Sequence, residues 1–230
     1  MKVVIQCAGR KRDGAGRLRD GAGAEVTFVT HPDLYTDEPA LFRLCRPDDP
    51  AGPDLGAWRD VLARYNERYA REGANPDRLL LAGDLYSPRV YRGLTDAFGP
   101  ANVFILSAGW GLVRADFLLP DYDITFSNQK KVPKYARRGR REDGSWRDFN
   151  QLRDAGLTPG EAVYFFGGRD YLPLYYRLAD DLPGRKVIHH KTATPRRAGY
   201  EYEAYTGPAN TNWHYPAAEA FIRSHAGEAA

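Results

Sequence analysis

The residues with the most chemistry to offer lie where short apolar runs end. The first run, residues 2–7, leads through Gln6-Cys7-Ala8-Gly9 into Arg10-Lys11-Arg12, a small-residue turn followed by three cations. Such a turn either cradles a phosphate or is a solvated basic loop, and the residue types leave both open. Another run leads into Ala82-Gly83-Asp84-Leu85-Tyr86-Ser87-Pro88, which puts a carboxylate, a ring and a hydroxyl at one junction. Asp84 suits a general base or an electrostatic stabiliser, and it equally suits a helix cap. The stretch Ser107-Ala108-Gly109-Trp110-Gly111 follows an apolar run. Its glycines let backbone approach a ligand or take positive φ, and Trp110 either stacks on a base or folds onto the core. Downstream, Asp121 and Asp123 bracket Tyr122. Gly167-Gly168-Arg169-Asp170 opens a helix whose first amides favour an anion, unless Asp170 occupies them. Near the C-terminus Trp213-His214-Tyr215 offers an imidazole, either a proton donor near neutral pH or a packed ring.

Other reaction classes fit less well. The five His and two Cys show no metal-ligand spacing, and His189 and His190, adjacent on one run, point to opposite faces of a strand. There is no Gly-x-Ser-x-Gly elbow, no Walker loop and no dinucleotide fingerprint. Neither a metal nor a cofactor is expected.

The elements that must position these residues follow from apolar periodicity. Residues 2–7, 25–29, 79–82, 103–107, 162–166 and 186–189 are rich in β-branched or aromatic side chains. Several are continuous apolar runs, as in strands covered on both faces. Helical spacing marks residues 57–72, 88–98, 170–181 and 216–224, with Ser87 and Pro88 placed to start the second. The prediction is one α/β domain over residues 1–230, a three-layer sandwich with a mostly parallel central sheet flanked by helices. At about residues 127–147 a long basic loop is inserted, with Lys130, Lys131, Lys134, Arg137, Arg138, Arg140, Arg141 and Arg147 set against only Glu142 and Asp143. The net charge of +3 does not by itself imply a polyanionic partner, so this local charge matters more. Cys7 and Cys45 form no disulfide framework, and the N-terminus lacks the long apolar stretch of a signal peptide, so a reducing cytoplasm is expected. No stretch approaches a membrane span.

Taken together, Cys7 with Arg10 and Lys11, then Asp84-Leu85-Tyr86-Ser87, then Leu106-Ser107-Ala108-Gly109-Trp110-Gly111-Leu112, then Pro120-Asp121-Tyr122-Asp123, resemble the ordered motifs of the YaaA-like superfamily. The resemblance covers residues 1–126 and departs at Cys-Ala-Gly-Arg-Lys, at Trp110, where Tyr or His is common, and at the basic insertion. It implies DNA binding, and a layout similar to uracil-DNA-glycosylase-like folds implies excision of a modified base, with use against phage. In that reading Asp84 or Asp123 stabilises the sugar cation, while Gln6 and His214 face the departing base. Tyr86, Trp110 and Tyr122 wall the flipped base, with Cys7 and Ser87 beside it. Arg10, Lys11, Arg12, Lys130, Lys131, Lys134, Arg137, Arg138 and Arg169 hold phosphates. Two alternatives stand beside it: a YaaA-like DNA-binding stress protein without turnover, and an N-glycosidase acting on free nucleosides or nucleotides. DNA is the expected partner, with no membrane and no obligate protein partner.

Overall fold

The computed structural model describes residues 1–35, 42–126, 135, 139–140, 145–208 and 211–225. The expected Lys130, Lys131, Lys134, Arg137 and Arg138 contacts lie outside the described residues. Most of the apolar runs become strands, but they are shared among separate sheets. The main sheet has seven strands in the order Phe149–Asn150, Gly111–Arg114, Val103–Ser107, Lys2–Gln6, Ala162–Phe166, Arg185–His190 and Tyr200–Ala204. Every neighbouring pair is parallel except Val103–Ser107 with Gly111–Arg114, which form a hairpin. Lys2–Gln6 lies near the middle, with Val3 opposite Val103 on one side and Tyr164 on the other. Val3, Val4, Ile5 and residues 103–106 are fully buried, which explains their unbroken apolar runs.

Helices cover both faces. Phe165 and Phe166 are successive strand residues and point opposite ways. Phe165 stacks on Tyr175 of the Leu172–Ala179 helix at 4.3 Å between ring centroids, whereas Phe166 meets Phe221 of the His214–His225 helix at 5.3 Å. Phe221 also packs on Phe98 of the Val90–Phe98 helix at 5.7 Å. The architecture is a three-layer α/β sandwich with a mostly parallel sheet. Among the described residues no helix is long and apolar enough to cross a membrane.

Three expectations are corrected. The 79–82 run contributes only Leu80–Leu81, which pairs antiparallel with Leu118–Leu119 outside the main sheet and turns at once into the Ala82–Leu85 helix. Glu25–Val29 is a strand, but of a second parallel sheet between Tyr122–Asp123 and Phe42–Cys45. Ser87 does not cap a helix. The helix begins at Val90, and the Ser87 hydroxyl donates to the Lys11 carbonyl at 2.8 Å. The longest helix, Trp58–Glu72, starts where the Ala57 amide donates to Asp60 at 2.8 Å. It stops at Gly73, which takes the left-handed φ of 68°.

Candidate functional site at the carboxyl rim of the sheet

The parallel strands bring Gln6, Ser107 and the turn after Phe166 to one rim. Gln6 ties them together: its side-chain oxygen accepts the Gly168 amide at 2.5 Å and its carbonyl accepts the Tyr91 hydroxyl at 2.6 Å. The Gly168 amide is therefore taken by Gln6 rather than free for an anion, although Arg169 is exposed at the same turn. Cys7 is buried, its sulfur 3.3 Å from the Tyr171 hydroxyl and 3.5 Å from the Ala108 amide.

Beyond Cys7 the chain runs extended beside residues 85–87. The Arg12 amide donates to Leu85 at 2.8 Å and the Ser87 amide to Arg10 at 3.2 Å, so Lys11 pairs with Tyr86. The side chains diverge in keeping with this extended backbone. The Lys11 ammonium packs 4.0 Å from the centre of the Tyr122 ring and donates to the Gly9 carbonyl. Burial pushes the Lys11 ammonium below the ordinary lysine range, opposed in part by Cys7, Asp123 and Asp121. Arg10 and Arg12 instead line a hollow of about 390 Å³ with Asp13, Tyr86, Ser87, Pro88, Arg89 and Arg92.

Under Lys11 lies a closed polar floor. The Trp110 amide donates to the Ser107 hydroxyl at 3.1 Å; that hydroxyl meets the Tyr122 phenol at 2.8 Å, and Tyr122 meets Tyr86 at 2.7 Å. Burial drives the Tyr86, Tyr122 and Tyr171 phenols well up, so they stay protonated. Networks of this kind fix geometry because each member leaves a costly orphan if moved.

Of the residues singled out in the sequence, Gln6, Cys7, Arg10, Lys11, Arg12, Asp84, Tyr86, Ser87, Trp110, Tyr122 and Asp123 gather here. Several roles change. Trp110 is fully buried, edge-on to Phe28 at 4.9 Å and 6.5 Å from the stacked Phe149 ring, so it is core and no wall for a base. Tyr86 and Tyr122 are likewise buried. Asp84 is not a free base, since it accepts Arg92 Nε at 2.8 Å and lies 3.6 Å from Arg12. Asp123 is exposed at the end of its strand, beside Lys11.

His214 is not exposed to substrate. It is buried between Trp213 and Tyr215, and burial pushes its pKa down to about 4. It is a neutral packed ring whose Nε2 lacks a partner among the described residues. An unfolded histidine protonates near pH 6.5, so stability is full above that pH and falls as pH drops toward 4. The expected loss from His214 at pH 5 is ~2 kcal/mol. Urea unfolding at pH 7.5 and 5.0 reads this loss together with that of His189, which burial also pushes down to about 4, and His214→Phe should recover the His214 part of the drop.

Three residues were missed. Arg89 and Arg92 reach the hollow through the pairing of residues 10–12 with 85–87. Arg59 is buried on the face of the helix that meets the hairpin turn, donating to the carbonyls of Trp110 at 2.8 Å and Gly109 at 2.5 Å. The visible signal was Arg59 and Asn66 at three- and four-residue spacing around Leu62, polar residues on an apolar stripe. The next turn residue, Gly111, has φ of 94°, and a Cβ there would lie 2.5 Å from the Phe149 carbonyl oxygen. That contact accounts for Gly after Trp110.

A larger groove of about 1040 Å³ lies along the edge of the sheet, lined by Arg114, Trp146, Phe149, Gln151 and Arg177 among others. None of Gln6, Cys7, Lys11, Ser107, Tyr122 and Asp123 lines it. Among the described residues no group of three His, Cys, Asp or Glu side chains is placed to hold a metal ion. No protein-family model matches the chain, and no curated protein is significantly similar to it.

Proposed function

We propose that the protein binds DNA at this rim and hydrolyses the N-glycosidic bond of a modified base, leaving an abasic site. The observation that carries this reading is an exposed carboxylate, Asp123, next in the chain to Tyr122, on whose ring the half-buried ammonium of Lys11 packs at 4.0 Å, with the hollow of Arg10 and Arg12 nearby. Breaking an N-glycosidic bond builds positive charge at the anomeric carbon and negative charge on the departing base. Asp123 stabilises the first and orients water; Lys11 donates toward the second. Gln6, with its oxygen engaged by Gly168, keeps its NH₂ end as a further donor. Asp84 serves the arginines rather than the sugar. The YaaA-like resemblance of residues 1–126 points to the same partner, with hypermodified phage DNA as the substrate to try first.

The test is incubation with ordinary and hypermodified phage DNA, followed by alkaline cleavage at abasic sites. Alkali-labile breaks in the modified DNA, and few in the ordinary one, are expected. One observation favours a second reading, DNA binding without turnover: burial of Trp110, Tyr86 and Tyr122 leaves those rings unable to receive a base without rearrangement. Retarded DNA with no alkali-labile break in either substrate would establish that second reading.

A further inference from the structure

The hollow beside Asp84 has features that a loose electrostatic contact with DNA does not need. Four arginines, Arg10, Arg12, Arg89 and Arg92, come from two distant stretches of chain and line one depression. Asp84 pairs with two of them, its Oδ1 accepting Arg92 Nε at 2.8 Å and lying 3.6 Å from Arg12 Nη1. Arg10 and Arg89 are exposed and form no ion pair among the described residues. The acids at the hollow, Asp84 and Asp13, are fewer than the arginines, so a net positive charge remains. Ser87 also lines the hollow, its hydroxyl donating to the Lys11 carbonyl, and the Val90–Phe98 helix starts beside it with no side-chain cap. Guanidinium groups match the geometry of phosphate oxygens in paired hydrogen bonds, which ammonium groups cannot do.

We infer that this hollow is a discrete phosphate-binding site, with Arg10 and Arg89 as the direct ligands and Arg12 and Arg92 held in place by Asp84. The site stands on these contacts whether or not a base is excised next to it. A volume of about 390 Å³ accommodates a phosphate with part of its ester, so the occupant is one phosphate group of a nucleic acid strand or of a free nucleotide.

The test measures binding of a short single-stranded oligonucleotide, of a 5′-mononucleotide and of inorganic phosphate by calorimetry, at several salt concentrations. Arg10→Ala and Arg89→Ala should each weaken the oligonucleotide about tenfold and lower its salt slope by about one unit. Arg153→Ala, paired with Asp181 on the surface, serves as a control that leaves both unchanged. If the oligonucleotide binds far more tightly than the mononucleotide, the phosphate belongs to a strand. If mononucleotide and inorganic phosphate bind as tightly as the oligonucleotide and lose affinity in the same variants, it belongs to a free nucleotide. The inference is overturned if the Arg10→Ala/Arg89→Ala double variant binds every probe with the wild-type affinity and salt slope, or if the wild type binds none of them. Base release is not read here, so loss of excision alone leaves this site standing, and loss of phosphate binding alone leaves the excision assay to decide the other.

Discussion

Asp123→Asn protein is expected to bind DNA as the wild type does and to release base at least about 100-fold more slowly. Removal of one preorganised group that stabilises transition-state charge typically costs 10²–10³ in rate. The side chain is exposed at the end of the two-residue strand Tyr122–Asp123, so a change of ~0.5 kcal/mol or less in stability is expected. Asp84→Asn is the informative comparison. Its carboxylate is committed to Arg12 and Arg92, so that variant should shift DNA affinity while keeping base release within a few-fold. Free base collected from modified DNA under single-turnover conditions measures both. Full activity in Asp123→Asn would remove this carboxylate from the reaction.

Arg59→Leu is expected to cost about 3–5 kcal/mol of folding stability, the range seen when a buried ion pair loses one partner. Arg59 is 2 % exposed, its Nε 2.6 Å from Asp48 and its Nη2 3.6 Å from Asp148. Burial opposes its charge, but Asp148 and Asp48 outweigh that and hold the guanidinium charged. Leucine fills part of the space and leaves two buried carboxylates, Asp48 and Asp148, without the cation they share. It also releases the carbonyls of Gly109 and Trp110, so the turn that presents Ser107 to the tyrosine network loses its anchor. For a domain of this size the melting temperature should fall by roughly 10 °C. Urea unfolding gives the number, and a loss below ~1 kcal/mol would show that the two acids protonate or rearrange at little cost. Adding Asp148→Asn to Arg59→Leu should recover part of the stability, because one orphaned charge is gone.

The layer architecture was legible because burial on both faces leaves a plain trace. Val103–Ser107 and Ala162–Phe166 are the apolar runs themselves, and they fall in the sheet with the expected bounds. The 79–82 run shows the limit of that reasoning. Four apolar residues do not distinguish a buried strand from the start of a buried helix, and here both occur in succession. Tyr200-Glu201-Tyr202-Glu203 alternates at strand period, yet its acids masked an edge strand of the main sheet.

Strand ends were a sound guide to where functional side chains gather, since a parallel sheet delivers them to one rim. Direction was not legible. Nothing local says that Trp110 turns inward against Phe28 and Phe149, or that Lys11 lies on Tyr122 while Arg10 and Arg12 face the hollow. Arg89 and Arg92 escaped notice for a related reason. They join Arg10 and Arg12 only because residues 10–12 pair with 85–87, a contact between segments more than 70 residues apart. His214 was read for its titration range, and its burial removes it from that range.

The most direct test of the central claim, that one rim of the sheet engages DNA, is amide hydrogen exchange on the protein with and without a saturating oligonucleotide. Slowed exchange is predicted across residues 9–13, 84–92 and 121–126. Slowed exchange confined to the edge groove around Arg114, residues 145–151 and Arg177, with the rim unchanged, would contradict it.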